Sequence, residues 1–182
     1  MIIDGHYVYI RPDFKPQKDW TVFLDRDGVI NEEKGFVHKI EDFELIPQIV
    51  PALQKLNAGG VPVIVVHNAA VVSRNICQLE QVEIFNCHML SELSAQGVFV
   101  DAIFYCPHHF DAYNKDFVRD CDWRKPRYGM LRAAAEQFHL DLSRSYLIGD
   151  HERDIQAAEA AGVTAFLIKN GSDILSAIDR IL

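Results

Sequence analysis

The chain has 182 residues, 49% hydrophobic and 24% charged, enough for one well-buried domain and short for two. A formal net charge of −8 with no basic stripe argues against nucleic acid as a partner. No apolar run reaches the length of a membrane span, and the start MIIDGHYVYIRPDF lacks the basic-then-apolar order of a secretory leader, so a cytoplasmic protein is expected.

Residues 1–19 read as an amino-terminal extension that packs on the domain or on a partner subunit. HYVYI is a candidate strand, and Pro12 and Pro16 make the segment after it an extended connector. The main domain is expected over 20–182. A strand at 20–24 ends at Asp25 and is followed by the polar loop NEEKGFVHKIEDF. Helical spacing runs from Ile49 to Asn57 and stops at Gly59-Gly60. PVIVV at 62–66 is a second buried strand, and 73–95 one long helix or two. AIFYC at 102–106 is a third strand, followed by a loop at 107–127 rich in His, Asp and Lys. A helix at 128–139, a strand at 145–149, a helix at 152–161, a strand at 164–168 and a last helix at 174–182 complete the series. This alternation predicts an α/β fold: a doubly wound, three-layer Rossmann-like parallel sheet.

In such a sheet the segments after each strand meet along one edge, where ligands bind. The first contributes Asp25, Asp27 and Gly28, and the second His67 and Asn68. The third contributes Cys106, His108, His109, Cys121, Arg124 and Lys125, and the fourth Gly149, Asp150, His151 and Asp154. Paired carboxylates beside a lysine suit phosphoryl transfer. Asp25 is the candidate nucleophile, attacking phosphorus in line to form an aspartyl phosphate. Asp27 is the candidate acid and base. Magnesium is expected on Asp25, Asp150 and the backbone carbonyl of Asp27, with Lys125 balancing the remaining negative charge. Without a leader sequence, the four cysteines are expected as thiols or metal ligands.

FLDRDGVIN, Arg-Lys-Pro at 124–126 and LIGDHERDIQAAEAAG at 147–162 resemble the motifs of the haloacid dehalogenase (HAD) superfamily of phosphatases, over about residues 20–170. DRDGVINEEKGFVHKIEDFELIP and FYCPHH followed by CDWRKP are similar to its minimally capped branch, whose members act on D-glycero-D-manno-heptose 1,7-bisphosphate or histidinol phosphate. The resemblance implies a magnesium-dependent phosphomonoester hydrolase for a small sugar phosphate, with the heptose bisphosphate first and histidinol phosphate as an alternative. It also places His38, in GFVH, at the leaving-group pocket and Arg124 on substrate phosphate or sugar. Arg74 is a candidate phosphate contact or a plain helix-surface residue. The chain is expected to act as a monomer or weak homodimer.

Two departures from the branch pattern stand out. Where the branch has Thr-Asn-Gln-Ser-Gly, this chain has His67-Asn68-Ala69-Ala70-Val71. His67 then either donates to phosphate as an imidazolium or fills the phosphate site as a neutral ring. The second outcome motivates an alternative, a catalytically degenerate protein that binds a phosphorylated ligand or a partner. The branch also carries a zinc loop of Cys-x-His and Cys-x-Cys. Cys106, His108 and Cys121 match, but Trp123 stands at the fourth ligand position. Water, His109 or Asp122 would complete the zinc site, or the indole packs the loop instead. Structural roles are expected for Cys77, Cys87, Asp141 and Ser143, and surface positions for His6 and His139. His151 stands where the branch usually has lysine.

Overall fold

The computed structural model describes residues 1–3, 5–169 and 173–182. In chain order the elements are β1 (Ile2–Ile3), β2 (His6–Ile10), β3 (Val22–Leu24), α1 (Ile49–Ala58), β4 (Val63–Asn68), α2 (Ala70–Ser73), α3 (Leu79–Ala95), β5 (Ala102–Cys106), α4 (Gly129–Phe138), β6 (Tyr146–Gly149), α5 (Glu152–Ala160), β7 (Thr164–Leu167) and α6 (Asp173–Ile181). They form a seven-stranded sheet in the order β1-β2-β5-β4-β3-β6-β7. The strands from β5 to β7 pair in parallel, while β1–β2 and β2–β5 are antiparallel.

The sheet is the middle of three layers, and β3 shows why. Val22 and Leu24 point into one core with Ile49, Leu53, Met89, Leu93 and Ile178. Phe23, one residue out of phase, points into the other with Met130, Leu131, Ala134, Ala157 and Ala158. All three residues are fully buried, the signature of a central parallel strand covered on both faces. Helices α1, α3 and α6 cover one face, and α4 and α5 the other. The 73–95 stretch is broken: α2 ends at Ser73 and α3 starts at Leu79, with Asn75 between them in the left-handed region at φ 58°.

Two strands that precede Trp20, β1 and β2, belong to the same sheet. β2 forms the antiparallel partner of β5, and Arg11 ties the chain down through a 2.8 Å ion pair to buried Asp101. Burial of His6, at 2% exposure, corrects its reading as a surface histidine; His139 is exposed and caps α4. Between β3 and α1 the only regular element among the described residues is a single 3-10 turn at Ile40–Asp42, so the cap is minimal. No helix among the described residues is long and apolar enough to cross a membrane.

Candidate active site

The site lies where the carboxyl ends of β3, β4 and β6 converge. Asp25 continues the ladder, its amide donating to Ile148 O at 3.0 Å, before the chain turns at Gly28. Gly28 has φ 80°, and a Cβ there would stand 2.1 Å from Asp150 Oδ2. Only glycine allows the β3 turn to lie that close to the acid after β6.

Lys125 reaches into this edge from the 107–127 loop. Its Nζ lies 2.9 Å from Asp25 Oδ1, 2.6 Å from Asp154 Oδ1 and 2.8 Å from Val66 O. An ammonium carries three protons, and three acceptors surround it. The lysine backbone is held as well: Asn68 Nδ2 donates to Lys125 O, and Lys125 N donates to Asn68 Oδ1, both at 3.0 Å. Asp25, Lys125 and Asp154 are all buried. Two carboxylates against one ammonium leave one excess negative charge. Burial, with the Asp154 charge adding to it, pushes the Asp25 carboxyl up to about 7 against the pull of Lys125. A buried site of that charge, lined by carboxylate oxygens, fits a hard divalent cation.

Asp27 is oriented by a fork. Arg26 Nε and Nη2 donate to its two oxygens at 3.0 and 2.9 Å, and Asn31 Nδ2 donates at 3.0 Å. Arg26 is itself fixed over the Phe85 ring and bonded to Asn86 Oδ1 at 3.1 Å.

Asp25, Asp27 and Lys125 open into a cavity of about 380 Å³ that Asn68, Ala69, Ala70, Arg74, Arg124 and Arg153 also line. Burial, with like charge from Arg153 and Arg74, lowers the Arg124 pKa. Four arginines line the cavity; Arg26 is engaged with Asp27, and the guanidinium groups of Arg74, Arg124 and Arg153 give the rest of the wall a positive field suited to an anion.

The chain is 40% identical over 155 residues to the D-glycero-beta-D-manno-heptose-1,7-bisphosphate 7-phosphatase of Escherichia coli K12, covering 85% of this chain and 81% of that one. The chain belongs to the HAD-like phosphatases. A HAD-hydrolase-like family model matches residues 122–179. Among solved structures, a Mesorhizobium loti protein assigned as a HAD-like phosphatase superposes with a TM-score of 0.87 at 29% identity, over 100% of this chain and 96% of that one. The D,D-heptose 1,7-bisphosphate phosphatase of B. bronchiseptica, solved with magnesium and phosphate, gives 0.74 at 30% identity over 87% and 86%.

Not every residue expected at this HAD site lies in it. His67 does not line the cavity. It is 1% exposed and stacks on Tyr105, with ring centroids 5.2 Å apart. Burial, helped by the charges of Arg26 and Lys125, holds its pKa well below 6.5, so it is neutral and donates to no phosphate as an imidazolium. Neither nitrogen has a hydrogen-bond partner among the described residues. His38 also lies outside, bonded to Phe36 O at 2.7 Å beside a different hollow. Asn68 lines the cavity, but its amide is occupied by the Lys125 backbone. Arg153, not anticipated from sequence, is present; its place in the first turn after Asp150 was the available signal.

A second cluster lies at the same end of the sheet. Nitrogen and sulfur atoms of His6, Cys106, His108 and Cys121 all lie within 4.8 Å of one another. The expected fourth donors are engaged elsewhere: His109 Nδ1 accepts from Asp111 N at 3.1 Å, and Asp122 pairs with Arg127 at 3.2 Å. Trp123 is buried and stacks flat on His6, 4.1 Å between centroids and 5° between planes.

Proposed function

We propose that this HAD-like phosphatase hydrolyses a small phosphorylated sugar with magnesium, heptose 1,7-bisphosphate being the favoured substrate. The carrying observation is the buried Asp25–Lys125–Asp154 cradle at the foot of a cavity lined by Arg74, Arg124 and Arg153 as well as by the Asp27-bound Arg26. Asp25 attacks phosphorus, the sugar oxygen leaves, and Asp27 gives that oxygen its proton. Asp27 then takes a proton from water as its oxygen attacks the aspartyl phosphate, releasing phosphate and restoring Asp25. Lys125 holds Asp25 in line and offsets charge that spreads over the phosphoryl oxygens. Bound to Asp25, Asp150 and the Asp27 carbonyl, magnesium would neutralise the phosphate and screen it from the nucleophile.

Arg74, Arg124 and Arg153 exceed what one phosphate requires, which favours a bisphosphate over histidinol phosphate. The degenerate reading loses its main support, because His67 turns away from the cavity and small alanines border it. The enzyme would work in the cytoplasm, with its four cysteines outside disulfides, as a monomer or weak homodimer.

The test is phosphate release with magnesium from both anomers of heptose 1,7-bisphosphate, the heptose 7-phosphate and histidinol phosphate. The expected result is turnover on the order of 1 per second or faster on a bisphosphate, with kcat/KM at least about tenfold above the others. Best turnover of histidinol phosphate would overturn the substrate choice. No turnover of any ester, with magnesium bound, would restore the degenerate reading.

A further inference from the structure

The antiparallel ladder between β2 and β5 pairs Ile10 with Ala102, Tyr9 with Ile103 and Val8 with Phe104. Each pair of numbers sums to 112, so the same register carries His6 opposite Cys106. Side chains opposite each other on one face of an antiparallel pair have Cβ atoms roughly 5 Å apart. His108 follows Cys106 by two residues, and Cys121 closes the group from the far side of the loop. His6 Nε2 lies 3.1 Å from Cys121 Sγ, and Cys106 Sγ lies 3.9 Å from His108 Nδ1. Donors on a tetrahedral zinc ion sit roughly 3.5 Å apart, given bonds of about 2.0–2.3 Å. Two thiols and two imidazoles at these separations, three of the four residues buried, form a closed donor set.

We propose that His6 is the fourth ligand of a structural zinc ion held by Cys106, His108 and Cys121. In this chain Trp123 stands at the usual fourth ligand position, and the missing donor comes from the neighbouring antiparallel strand β2. The indole is then no longer a lost ligand but the surface against which the His6 ring lies flat, fixing its orientation. Soft thiolates with imidazoles select zinc over magnesium or calcium, and four protein donors leave no open position, so the role is structural. Zinc there would tie the amino-terminal strand to the 107–127 loop, whose end delivers Arg124 and Lys125. Arg124 Nη1 already reaches back to His108 O at 2.9 Å.

This inference is independent of the substrate and is tested on the full chain without an activity assay. Reduced wild-type protein, purified and dialysed, should hold about one zinc per chain by elemental analysis. Its cobalt derivative should show the intense visible bands of tetrahedral coordination together with thiolate charge transfer. His6→Ala should weaken zinc by at least roughly a hundredfold in a chelator competition and change the cobalt spectrum. His6→Cys should keep the affinity, and Trp123→Cys placed in the His6→Ala background should restore it, each with stronger charge-transfer bands from a third thiolate. Circular dichroism of each variant separates loss of metal from loss of fold. Metal-free wild-type protein under reducing conditions would overturn the proposal. So would a folded His6→Ala variant with wild-type zinc affinity and an unchanged cobalt spectrum.

Discussion

The Asp25–Lys125–Asp154 cradle and the His6–Cys106–His108–Cys121 cluster are both buried groups of titratable side chains at one end of one sheet, yet the fold assembles them differently. The cradle collects residues that follow neighbouring parallel strands, and a lysine from a loop balances them. The cluster depends on an antiparallel partner whose register is set elsewhere. In the first, proximity is a consequence of the βαβ topology. In the second, it is a consequence of one pairing between residues 100 positions apart. The cradle carries one unbalanced negative charge, whereas the cluster gathers four nitrogen and sulfur donors.

Asp25→Asn gives the sharpest break on the cradle side. It removes the nucleophile and keeps the shape, so phosphate release should fall by at least about a thousandfold. Folding should hardly change, because the buried carboxylate was itself disfavoured and its loss relieves the charge excess. A thermal melt beside the assay checks both halves. A retained rate would remove Asp25 from the chemistry.

Lys125→Met comes next. It leaves Asp25 and Asp154 buried without a cation, and removing one partner of a buried ion pair costs about 3–5 kcal/mol. Denaturant unfolding should show that loss, and magnesium should restore part of it by replacing the missing charge. Full stability without metal would mean the lysine does not neutralise the pair.

The same contrast explains what the sequence disclosed. The strand series was legible, and with it the meeting of Asp25, Asp27, Lys125 and Asp150 at one edge, because parallel strands carry the segments after them there whatever the side-chain details. His6 was not, because HYVYI contains no local sign of the strand it will join. Its alternation marks a strand but not a partner or a register. The role of Asn68 was hidden for a related reason. Its neighbour in space, Lys125, is 57 residues away and meets it through backbone atoms, which leave no trace in residue type. Asn68→Ala removes both 3.0 Å bonds and should cost about 1–3 kcal/mol in stability. It should lower kcat more than it raises KM, since a displaced Lys125 is felt most as charge develops. A pure KM effect would instead make Asn68 a substrate contact.

The smallest effect concerns His67, which belongs to neither group although it lies on the strand between them. Its ring is buried, with neither nitrogen partnered among the described residues, and burial with the charges of Arg26 and Lys125 holds it neutral in the folded chain. In the unfolded chain it binds a proton near its ordinary value of 6.5. The folded-state value is depressed, so the stability linked to this residue is present above pH 6.5 and is lost as pH falls toward the folded-state value. Each pH unit in that window costs roughly 1.4 kcal/mol. His67→Phe keeps an aromatic ring against Tyr105 and removes the titration. Unfolding free energies of the two proteins, measured between pH 7.5 and 5 (roughly the span over which an ordinary histidine titrates), should run parallel at the upper end and diverge on acidification, with the variant losing less. Parallel curves throughout would mean that His67 takes up its proton in the folded state, and a protonated ring beside the cavity would return it to the list of phosphate donors.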